Sequence, residues 1–579
     1  MINKSVCLIF ATAALFSGCS GLPTSSDIAP SNNADPSSEF AAQAGILRPT
    51  DIEPDVLYGL LVAELAGQRS RYDILLSNYL AAAKKTGDPG IAQRATQIAT
   101  SLRAHKAAIA AAEIWHQSAP NSPHAKQALA GQLVIDKQPN RAIALLEELL
   151  ASHKNASFES LTANSQHLTN AQRNDLVQQL DRLLAIYPDN SQLLLSQSIL
   201  LKLNGRTADA LNYANELYRI EPSPRSLALK SRLNHQLGHT EKALNDLQKG
   251  LTTNPANRPL RVLYAQVLID DKQLVAAQQQ FAALLEQFPQ DHQLKLTLAL
   301  LNLETGDRET GNRLLQQLTN ISSMADEAHY YLGQSFEKVP QTKEAIDHYK
   351  QVTHGPKLLP SFKKIGTLLL QQDLLAALQK VFETGRETHQ KKRKHLFIIE
   401  AELLAEKGHT ATAVNLLNAA LKESPKDINL LYARAMTVEK NNDLAAMEND
   451  LRAILSLEPD NAMALNALGY TLADRTTRYQ EALALITRAK ELKPNDPAIT
   501  DSLGWAKFRL GNYEEAIKLL EQALNDFPDH EVAAHLGEAL WVTGQQQRAH
   551  QIWGDALQLK PDSIILKRVI DRLSPSLNQ

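Results

Sequence analysis

The chain has 579 residues and a formal net charge of −3 at pH 7. This nearly neutral balance excludes the general electrostatic attraction to nucleic acid or anionic lipid that strongly basic proteins show. Hydrophobic residues make up 44% of the chain but aromatic residues only 5%, and its many Ala, Leu and Gln residues favour helices. The basic run 391–394 is interpreted as a solvated loop, with a nucleic-acid patch as the disfavoured alternative.

Residues 1–18 are predicted to be a lipoprotein signal peptide. A positive start at Lys4 precedes an apolar stretch over 6–16. This stretch is shorter than the roughly 20 residues that span a bilayer, but it suits a signal-peptide core. Residues 15–19 resemble the bacterial lipobox, and the resemblance implies that Cys19 is lipidated and becomes the mature N-terminus. The alternative is an ordinary cleaved signal that contains cysteine.

Cysteine usage agrees with export. The chain has two cysteines, Cys7 and Cys19, so a mature form lipidated at Cys19 would carry no free thiol, which suits an oxidising periplasm. Ser20 replaces the aspartate associated with inner-membrane retention. The resemblance therefore implies a lipid-anchored protein on the periplasmic face of the outer membrane. Residues 19–53 are rich in Ser, Pro, Asn and Asp, and they are predicted to be a flexible tether.

Prolines then recur at one phase of a repeat for most of the chain. Successive members are 33 to 35 residues apart, or 68 or 136 residues apart, which are multiples of 34. Such a period predicts a solenoid, in which each unit packs on its neighbours. The members are Pro120, Pro188, Pro222, Pro255, Pro289, Pro425, Pro459, Pro494, Pro528 and Pro561.

The clearest unit spans 497–529 and resembles the tetratricopeptide repeat. Gly504 is expected to let the two helices of a hairpin approach closely, and Gly511 is expected to form the turn between them. Ala516 is small because the second helix packs between neighbours, and Pro528 ends that helix.

The predicted fold is therefore all-α: a tetratricopeptide-repeat right-handed superhelical solenoid of about fifteen helical hairpins. Two windows match the repeat poorly and are expected to be less regular, and a final helix is expected to cap the stack. The predicted segments are the signal peptide 1–18, the tether 19–53, N-terminal and central repeats 54–393 with less regular windows at 156–190 and 358–393, regular C-terminal repeats 394–563, and a capping helix and tail 564–579.

No enzyme signature is found in the sequence. It contains no Gly-rich phosphate loop, no Gly-x-Ser-x-Gly elbow and no His-Glu-x-x-His helix. Histidine pairs such as His116 with His124 and His530 with His535 are not spaced to share a helical face, and they are expected to be scattered surface residues. We therefore predict no catalytic residue, no metal and no cofactor. A hydrolase hidden in window 358–393 is disfavoured, because the sequence shows no buried ionisable cluster there.

Binding residues are predicted on the concave face, which the first helix of each hairpin lines. Large aromatic side chains at positions facing this groove would anchor an extended peptide of a partner. The alternative is that they pack between adjacent first helices. Trp115 and Trp553 fall at second-helix positions and are predicted to be core residues. The candidate partner-binding residues are Tyr432, Tyr470, Trp505, Phe508 and Trp541.

Several segments resemble one family of bacterial lipoproteins. These are residues 57–99, NALGYTLADRTTRYQEAL from Asn466 and DPAITDSLGWAKFRLGNYEEA from Asp496. They are similar to the large tetratricopeptide outer-membrane lipoproteins that include the binding partner of a carboxyl-terminal processing protease. The resemblance implies a non-enzymatic adaptor that assembles this periplasmic serine protease and brings peptidoglycan hydrolases to it. The implied partners are the protease, the cell-wall hydrolases and the membrane through the lipid anchor, with no nucleic acid.

A second functional hypothesis stays open at this point. Other tetratricopeptide lipoproteins are structural parts of export machines, such as polysaccharide secretion systems and pilus secretins. The chain would then be a structural component of such an assembly.

Overall fold

A computed structural model describes residues 53–152 and 157–574 of the chain. The predicted signal peptide, Cys19 and nearly all of the predicted tether lie outside the described residues. Over the described residues the chain forms 31 α-helices and no strand. The prediction of an all-α tetratricopeptide-repeat fold is confirmed.

The chain packs into two compact units, one ending at Leu315 and the other beginning at Gln316. The helices before the division are α1 (Pro54–Gln68), α2 (Tyr72–Thr86), α3 (Pro89–Ser101), α4 (His105–Ser118), α5 (Pro123–Ile135), α6 (Pro139–Ser152), α7 (Glu159–Asn164), α8 (Asn170–Ile186), α9 (Ser191–Leu203), α10 (Thr207–Ile220), α11 (Pro224–Gln236), α12 (Thr240–Thr253), α13 (Arg258–Asp270), α14 (Leu274–Gln287) and α15 (His292–Thr305). The division itself falls within α16 (Arg308–Leu318).

The second unit continues the same helical pattern. Its helices are α17 (Ala325–Glu337), α18 (Thr342–Lys350), α19 (Leu358–Gln371), α20 (Leu375–Thr388), α21 (Arg393–Glu406), α22 (Thr410–Glu423), α23 (Ile428–Glu439), α24 (Leu444–Leu457), α25 (Ala462–Arg475), α26 (Tyr479–Leu492), α27 (Pro497–Arg509), α28 (Tyr513–Asp526), α29 (His530–Val542), α30 (Gln546–Leu559) and α31 (Ile564–Leu573). Along the described chain, successive helices make fifteen pairs, and α31 follows the last pair.

The recurring prolines mark the borders between pairs. Helix α28 ends at Asp526, Pro528 follows, and the Asp529 carboxylate accepts a hydrogen bond of 2.8 Å from the Glu531 backbone amide at the start of α29. A capping side chain satisfies one of the amides that the first turn of a helix leaves unpaired. Eight of the prolines are followed two residues later by such a cap: Ser122, Asn190, Asn257, Asp291, Asp427, Asn461, Asp496 and Ser563.

The turn inside twelve of the fifteen described hairpins contains one residue in the left-handed conformation. Gly511 has this role between α27 and α28, with φ of 83°, as predicted. Glycine is not required at every such turn, however. At the matching turns of other hairpins six non-glycine residues have φ between 53 and 62°: Ser70, Arg103, Lys137, Lys272, Asp373 and Asn442.

Close contact between the two helices of a hairpin depends on a small residue in the first helix. A Cβ atom at Gly504 would lie 2.8 Å from Leu520 Cγ, and one at Gly537 would lie 2.0 Å from Trp553 Nε1. Both distances are shorter than van der Waals contact, so the predicted role of Gly504 is confirmed. Small residues recur at this phase in eleven successive hairpins: Ser198, Ser231, Ala265, Ala299, Gly333, Gly366, Ala401, Ala435, Gly469, Gly504 and Gly537.

Large side chains of the second helices fill the space between neighbours. Trp115 is 8% exposed and Trp553 is fully buried, so their prediction as core residues is confirmed. In the first unit one continuous apolar cluster runs from α4 to α11. Burial of this kind, at about 25 cal/mol per Å² of apolar surface, is the main favourable contribution to stability.

The two windows expected to be less regular have different structures. Around 156–190, α7 is six residues long and is followed by a 3₁₀ turn at Ser165–His167 before the 17-residue α8. In 358–393, α19 and α20 are both 14 residues long, and a 3₁₀ turn follows at Gln390–Lys392.

The contact of Gly537 with Trp553 generates a stability prediction. We expect Gly537→Ala to destabilise the second unit by about 1–3 kcal/mol, because the added methyl group overlaps the buried indole. Gly554→Ala is the control, since nothing lies within 4 Å of its added Cβ in α30. That change should stabilise the protein by about 0.5–1 kcal/mol through helix propensity. Urea and thermal unfolding followed by circular dichroism measure both, and effects of the same sign would contradict the prediction.

Candidate partner-binding groove

The second unit has an open cleft along its first helices. Two adjoining cavities, of about 870 and 320 Å³, are lined by side chains of α23, α25, α27 and α29, and α31 adds to the larger one. Ala467, Tyr470 and Glu531 line both cavities, so the two lie side by side. We call this cleft the C-terminal groove; the residues that define it are Tyr432, Asn466, Tyr470, Asp501, Trp505, Phe508, Glu531 and His535.

Four of the five predicted aromatic residues lie in the C-terminal groove. Tyr432 and Tyr470 are half-buried, and Trp505 and Phe508 are buried. Trp541 lies outside both cavities, where its ring stacks 5.8 Å from that of Trp553. Packing and groove lining are therefore not alternatives for Trp505 and Phe508, because these side chains do both.

A hydrogen-bonded network crosses the floor of the groove and joins three hairpins. The His535 Nδ1 atom lies 3.0 Å from Asp501 Oδ1, and its Nε2 atom lies 3.3 Å from the Tyr470 hydroxyl. The Tyr470 hydroxyl donates a hydrogen bond of 2.8 Å to Glu531 Oε1. Since these residues belong to α25, α27 and α29, the network fixes the relative positions of three first helices.

Neighbouring carboxylates determine the protonation of this network. Burial by itself disfavours the charged imidazole, but the Asp501 carboxylate, with Glu531 and Asp474, outweighs burial and raises the pKa of His535. Burial and the same carboxylates raise the pKa of the Tyr470 hydroxyl, so it remains a neutral donor. The raised pKa favours the charged imidazole, which pairs with the buried Asp501 carboxylate.

Trp505 is the central apolar residue of the groove. Its ring stacks on His535 at 4.3 Å and on Phe508 at 5.0 Å between centroids, and it is 5% exposed. Its indole Nε1 atom is buried and has no hydrogen-bond partner among the described residues. A buried donor without a partner is costly, so this N–H is a polar group that the described fold leaves unsatisfied.

Ion pairs border the larger cavity. Arg572 of α31 lies 2.6 Å from Glu538, and Arg475 lies 2.9 Å from Asp474. The Arg509 guanidinium lies over the rings of Tyr479 and Trp505, at 4.9 and 5.8 Å from their centroids. The charges at this end of the groove are thus largely balanced.

His535 is a groove residue that was not predicted from the sequence. The prediction that His530 and His535 are scattered surface residues is wrong for His535, which is 6% exposed. The side chain is buried because α29 packs on α27, which places Asp501 and Trp505 against it. One signal was present in the sequence, since Asp501 and Trp505 lie at groove-facing positions of the preceding unit.

Window 358–393 contributes one buried charged side chain, which pairs with a residue beyond the window. Arg386 of α20 and Glu400 of α21 form a hydrogen-bonded ion pair and are 8% and 1% exposed. Burial raises the pKa of Glu400 although Arg386 opposes that shift. The Arg386 guanidinium also lies 4.4 Å from the centroid of the Phe397 ring. The two charges neutralise each other between packed helices, which is a structural arrangement.

The basic run 391–394 is partly neutralised. Arg393 lies 2.8 Å from Glu423, and Lys394 lies 2.7 Å from Asp427. Within 53–152 and 157–574, no group of three or more His, Cys, Asp and Glu side chains could hold a metal ion. Nor does any helix in that part of the chain have the length and apolar character needed to cross a bilayer.

Comparisons with known proteins agree with the helical pattern. Models of the tetratricopeptide repeat match residues 235–301, 432–497 and 502–564. The chain is 40% identical over 542 residues to the TPR repeat-containing protein PA4667 of Pseudomonas aeruginosa, covering 93% of this chain and 90% of that protein. It is 35% identical over 103 residues to the bacteriophage adsorption protein A of Escherichia coli, covering 18% and 10%. A solved tetratricopeptide repeat protein from Parabacteroides merdae has 18% identity and a TM-score of 0.34, covering 42% of this chain and 97% of that one.

The repeated hairpins and the motif matches define a tetratricopeptide-repeat protein, a class that generally serves as a non-catalytic scaffold for protein–protein interaction. The chain belongs to the family of TPR repeat-containing proteins that includes the Pseudomonas aeruginosa protein, as the identity over nearly the full length of both chains shows.

The ion pair of His535 and Asp501 predicts a pH dependence of stability. The pKa of His535 is higher in the folded protein than in the unfolded chain. The ion pair therefore stabilises the fold fully at pH values below the ordinary histidine pKa of about 6.5, and this stabilisation is lost as the pH rises through the pKa of the folded state. We therefore expect the melting temperature to fall between pH 6 and pH 9, and His535→Gln to reduce that slope. Each unit of pKa elevation corresponds to about 1.4 kcal/mol.

The control for this experiment is His409→Gln, at an exposed position of the same unit. It should keep the slope of the unmodified protein in thermal scans followed by circular dichroism. A slope unchanged by His535→Gln would show that the buried pair does not make the stability pH-dependent.

Proposed function

We propose that the chain is a membrane-tethered scaffold for protein–protein interaction, and that it serves as an adaptor presenting peptidoglycan hydrolases to a periplasmic processing protease. The observation that carries the scaffold role is the C-terminal groove, an open cleft with aromatic walls. The adaptor role is supported by the resemblance of the N-terminal and C-terminal segments to adaptor lipoproteins. The lipobox-like residues that end at Cys19 support the membrane tether.

The groove has the chemistry needed to hold a peptide. Tyr470, Trp505 and Phe508 provide large apolar contacts, which dominate the energy of protein interfaces. The Trp505 Nε1 donor and the Asn466 Oδ1 acceptor are buried without partners among the described residues. A peptide backbone carries both an acceptor and a donor at each residue, so an extended segment can satisfy both atoms.

The same geometry argues against catalysis by Asp501, His535 and Tyr470. These side chains follow one another as the carboxylate, base and hydroxyl of a nucleophilic catalytic site would. The Tyr470 hydroxyl, however, donates a hydrogen bond to Glu531, and burial and nearby carboxylates raise its pKa. A hydroxyl held neutral in this way is a poor nucleophile. The network therefore suits a rigid binding surface.

An adaptor needs a second surface for a second partner. The first unit exposes an apolar stripe on α1: Leu57, Tyr58, Leu61 and Leu65, which are 49 to 71% exposed. A contiguous exposed apolar patch favours protein contact. Holding two partners on one tethered chain raises the effective concentration of each for the other without any new contact between them.

Affinity capture of the mature, acylated protein with mass spectrometry tests the adaptor role. We expect a periplasmic processing protease and a cell-wall hydrolase to be recovered together. Recovery of pilus secretin or polysaccharide export components in their place would overturn the adaptor role in favour of an export scaffold. Recovery of neither group would also overturn it.

A groove variant tests the scaffold surface itself. Tyr432→Ala removes a half-buried aromatic wall of the groove and should weaken capture of one partner by about tenfold, the effect typical of an interface anchor. The second partner should be retained, since its surface is elsewhere. The control Tyr187→Ala, at a 37% exposed position of the first unit, should leave both captures unchanged. Equal capture by the two variants would place the binding surface outside the groove.

A further inference from the structure

The smaller cavity of the C-terminal groove is rich in hydrogen-bond acceptors. It occupies about 320 Å³, near the lower end of the range for ligand sites. Three carboxylates line it, and Lys493 is its one cationic lining residue among the described side chains. The carboxylates belong to Asp496, Asp501 and Glu531.

These carboxylates have different partners. Asp496 caps α27 by accepting from the backbone amides of Ala498 and Ile499. Asp501 is paired with His535. Glu531 accepts a hydrogen bond from the Tyr470 hydroxyl but forms no ion pair with any described residue. Glu531 is therefore the pocket carboxylate without a direct ion-pair partner among the described residues, although its charge acts on the buried His535.

Other lining groups also favour a cationic donor. Asn466 Oδ1 is a buried acceptor with no partner among the described residues. Tyr432 and Tyr470 border the pocket, and burial raises the pKa of both hydroxyls, so their rings remain neutral. The face of a neutral tyrosine attracts ammonium and guanidinium groups. An anion would meet three carboxylates here against one lining cation, Lys493.

The larger cavity indicates that the cationic group would belong to a peptide. Trp505 lines it and is 5% exposed, and its Nε1 donor is unpartnered among the described residues. A free metal ion could not use that donor, and the part of the chain that the structure describes has no metal-binding group of three ligands. A peptide could, because its backbone carbonyls are acceptors.

We infer that the pocket bordered by Tyr432, Tyr470 and Glu531 binds the lysine or arginine side chain of an extended partner segment, whose backbone continues along Trp505. This rests on the proposed function, since it assigns a chemical class to the segment that the groove holds. Charge complementarity supports this assignment, because the three carboxylates of the pocket outnumber its one lining cation, Lys493, and the adjacent His535. An unpartnered amide oxygen and two aromatic rings line the same space, which has the size of a side chain.

The test uses the full mature chain and fluorescein-labelled peptides built from the repeat Ser-Ala-Lys-Ala. Matched peptides carry acetyl-lysine or glutamate in place of lysine. We expect fluorescence anisotropy to detect binding of the lysine peptide, and acetylation to weaken it by about tenfold, because a hydrogen bond to a charged group is lost. Equal binding of the lysine and acetyl-lysine peptides would overturn the inference.

Two isosteric substitutions test whether the lysine peptide depends on the charge of Glu531. Glu531→Gln keeps the shape of the side chain and an acceptor for Tyr470, so it should weaken lysine-peptide binding by about tenfold without changing acetyl-lysine binding. Glu514→Gln, at an exposed carboxylate of α28, is the control and should bind as the unmodified protein does. Loss of binding in both variants, or in neither, would overturn the inference. Circular dichroism of each variant confirms that it is folded.

The inference and the proposed function fail in different ways. If Glu531→Gln binds lysine peptide normally while the protein still captures its envelope partners, the scaffold stands and the cationic pocket is refuted. If the lysine peptide depends on Glu531 but no protease or hydrolase is captured, the pocket stands and the adaptor role is refuted.

Discussion

The fold depends on the close approach of two helices within each hairpin. The first helix offers a small residue, and the second offers an alanine at the facing position. Ser198 in α9 shows the contact directly, since its hydroxyl donates a hydrogen bond of 2.9 Å to the Ala210 carbonyl in α10. The recurring second-helix alanines are fully buried: Ala210, Ala243, Ala277, Ala345, Ala413, Ala482, Ala516 and Ala549. Interiors are close-packed, so a larger side chain at either position forces the helices apart.

The groove follows from this contact. Because the second helices pack behind the first helices, neighbouring first helices are in contact with each other, and their remaining face lines a cleft. Large side chains on that face can line the cleft without closing it. The polar groups beneath them are then enclosed and must find partners, which Asp501, His535, Tyr470 and Glu531 provide for one another. A surface built in this way is rigid before a ligand arrives, which lowers the cost of binding.

The helical hairpins were largely predictable because their signals are local. Proline positions located the borders, and Gly511 and Gly504 located a turn and a helix contact. Glycine positions alone nevertheless did not identify every turn and helix contact. The left-handed turns at Lys272 and Asn442 are formed without glycine, and Ser or Ala replaces glycine at the helix contact of several hairpins. A search for small residues in place of glycine would have revealed the unbroken series.

The sequence by itself determined the helical class and the phase of the hairpins, because backbone rules and repeat spacing act over one turn or one unit. Only the tertiary structure decided that His535 is buried on Asp501, that Arg386 meets Glu400, and that Trp541 packs away from the groove. These contacts join different helices, as in the bond from Tyr470 to Glu531 across 61 residues. Their protonation and burial depend on charges that approach one another only when the hairpins stack.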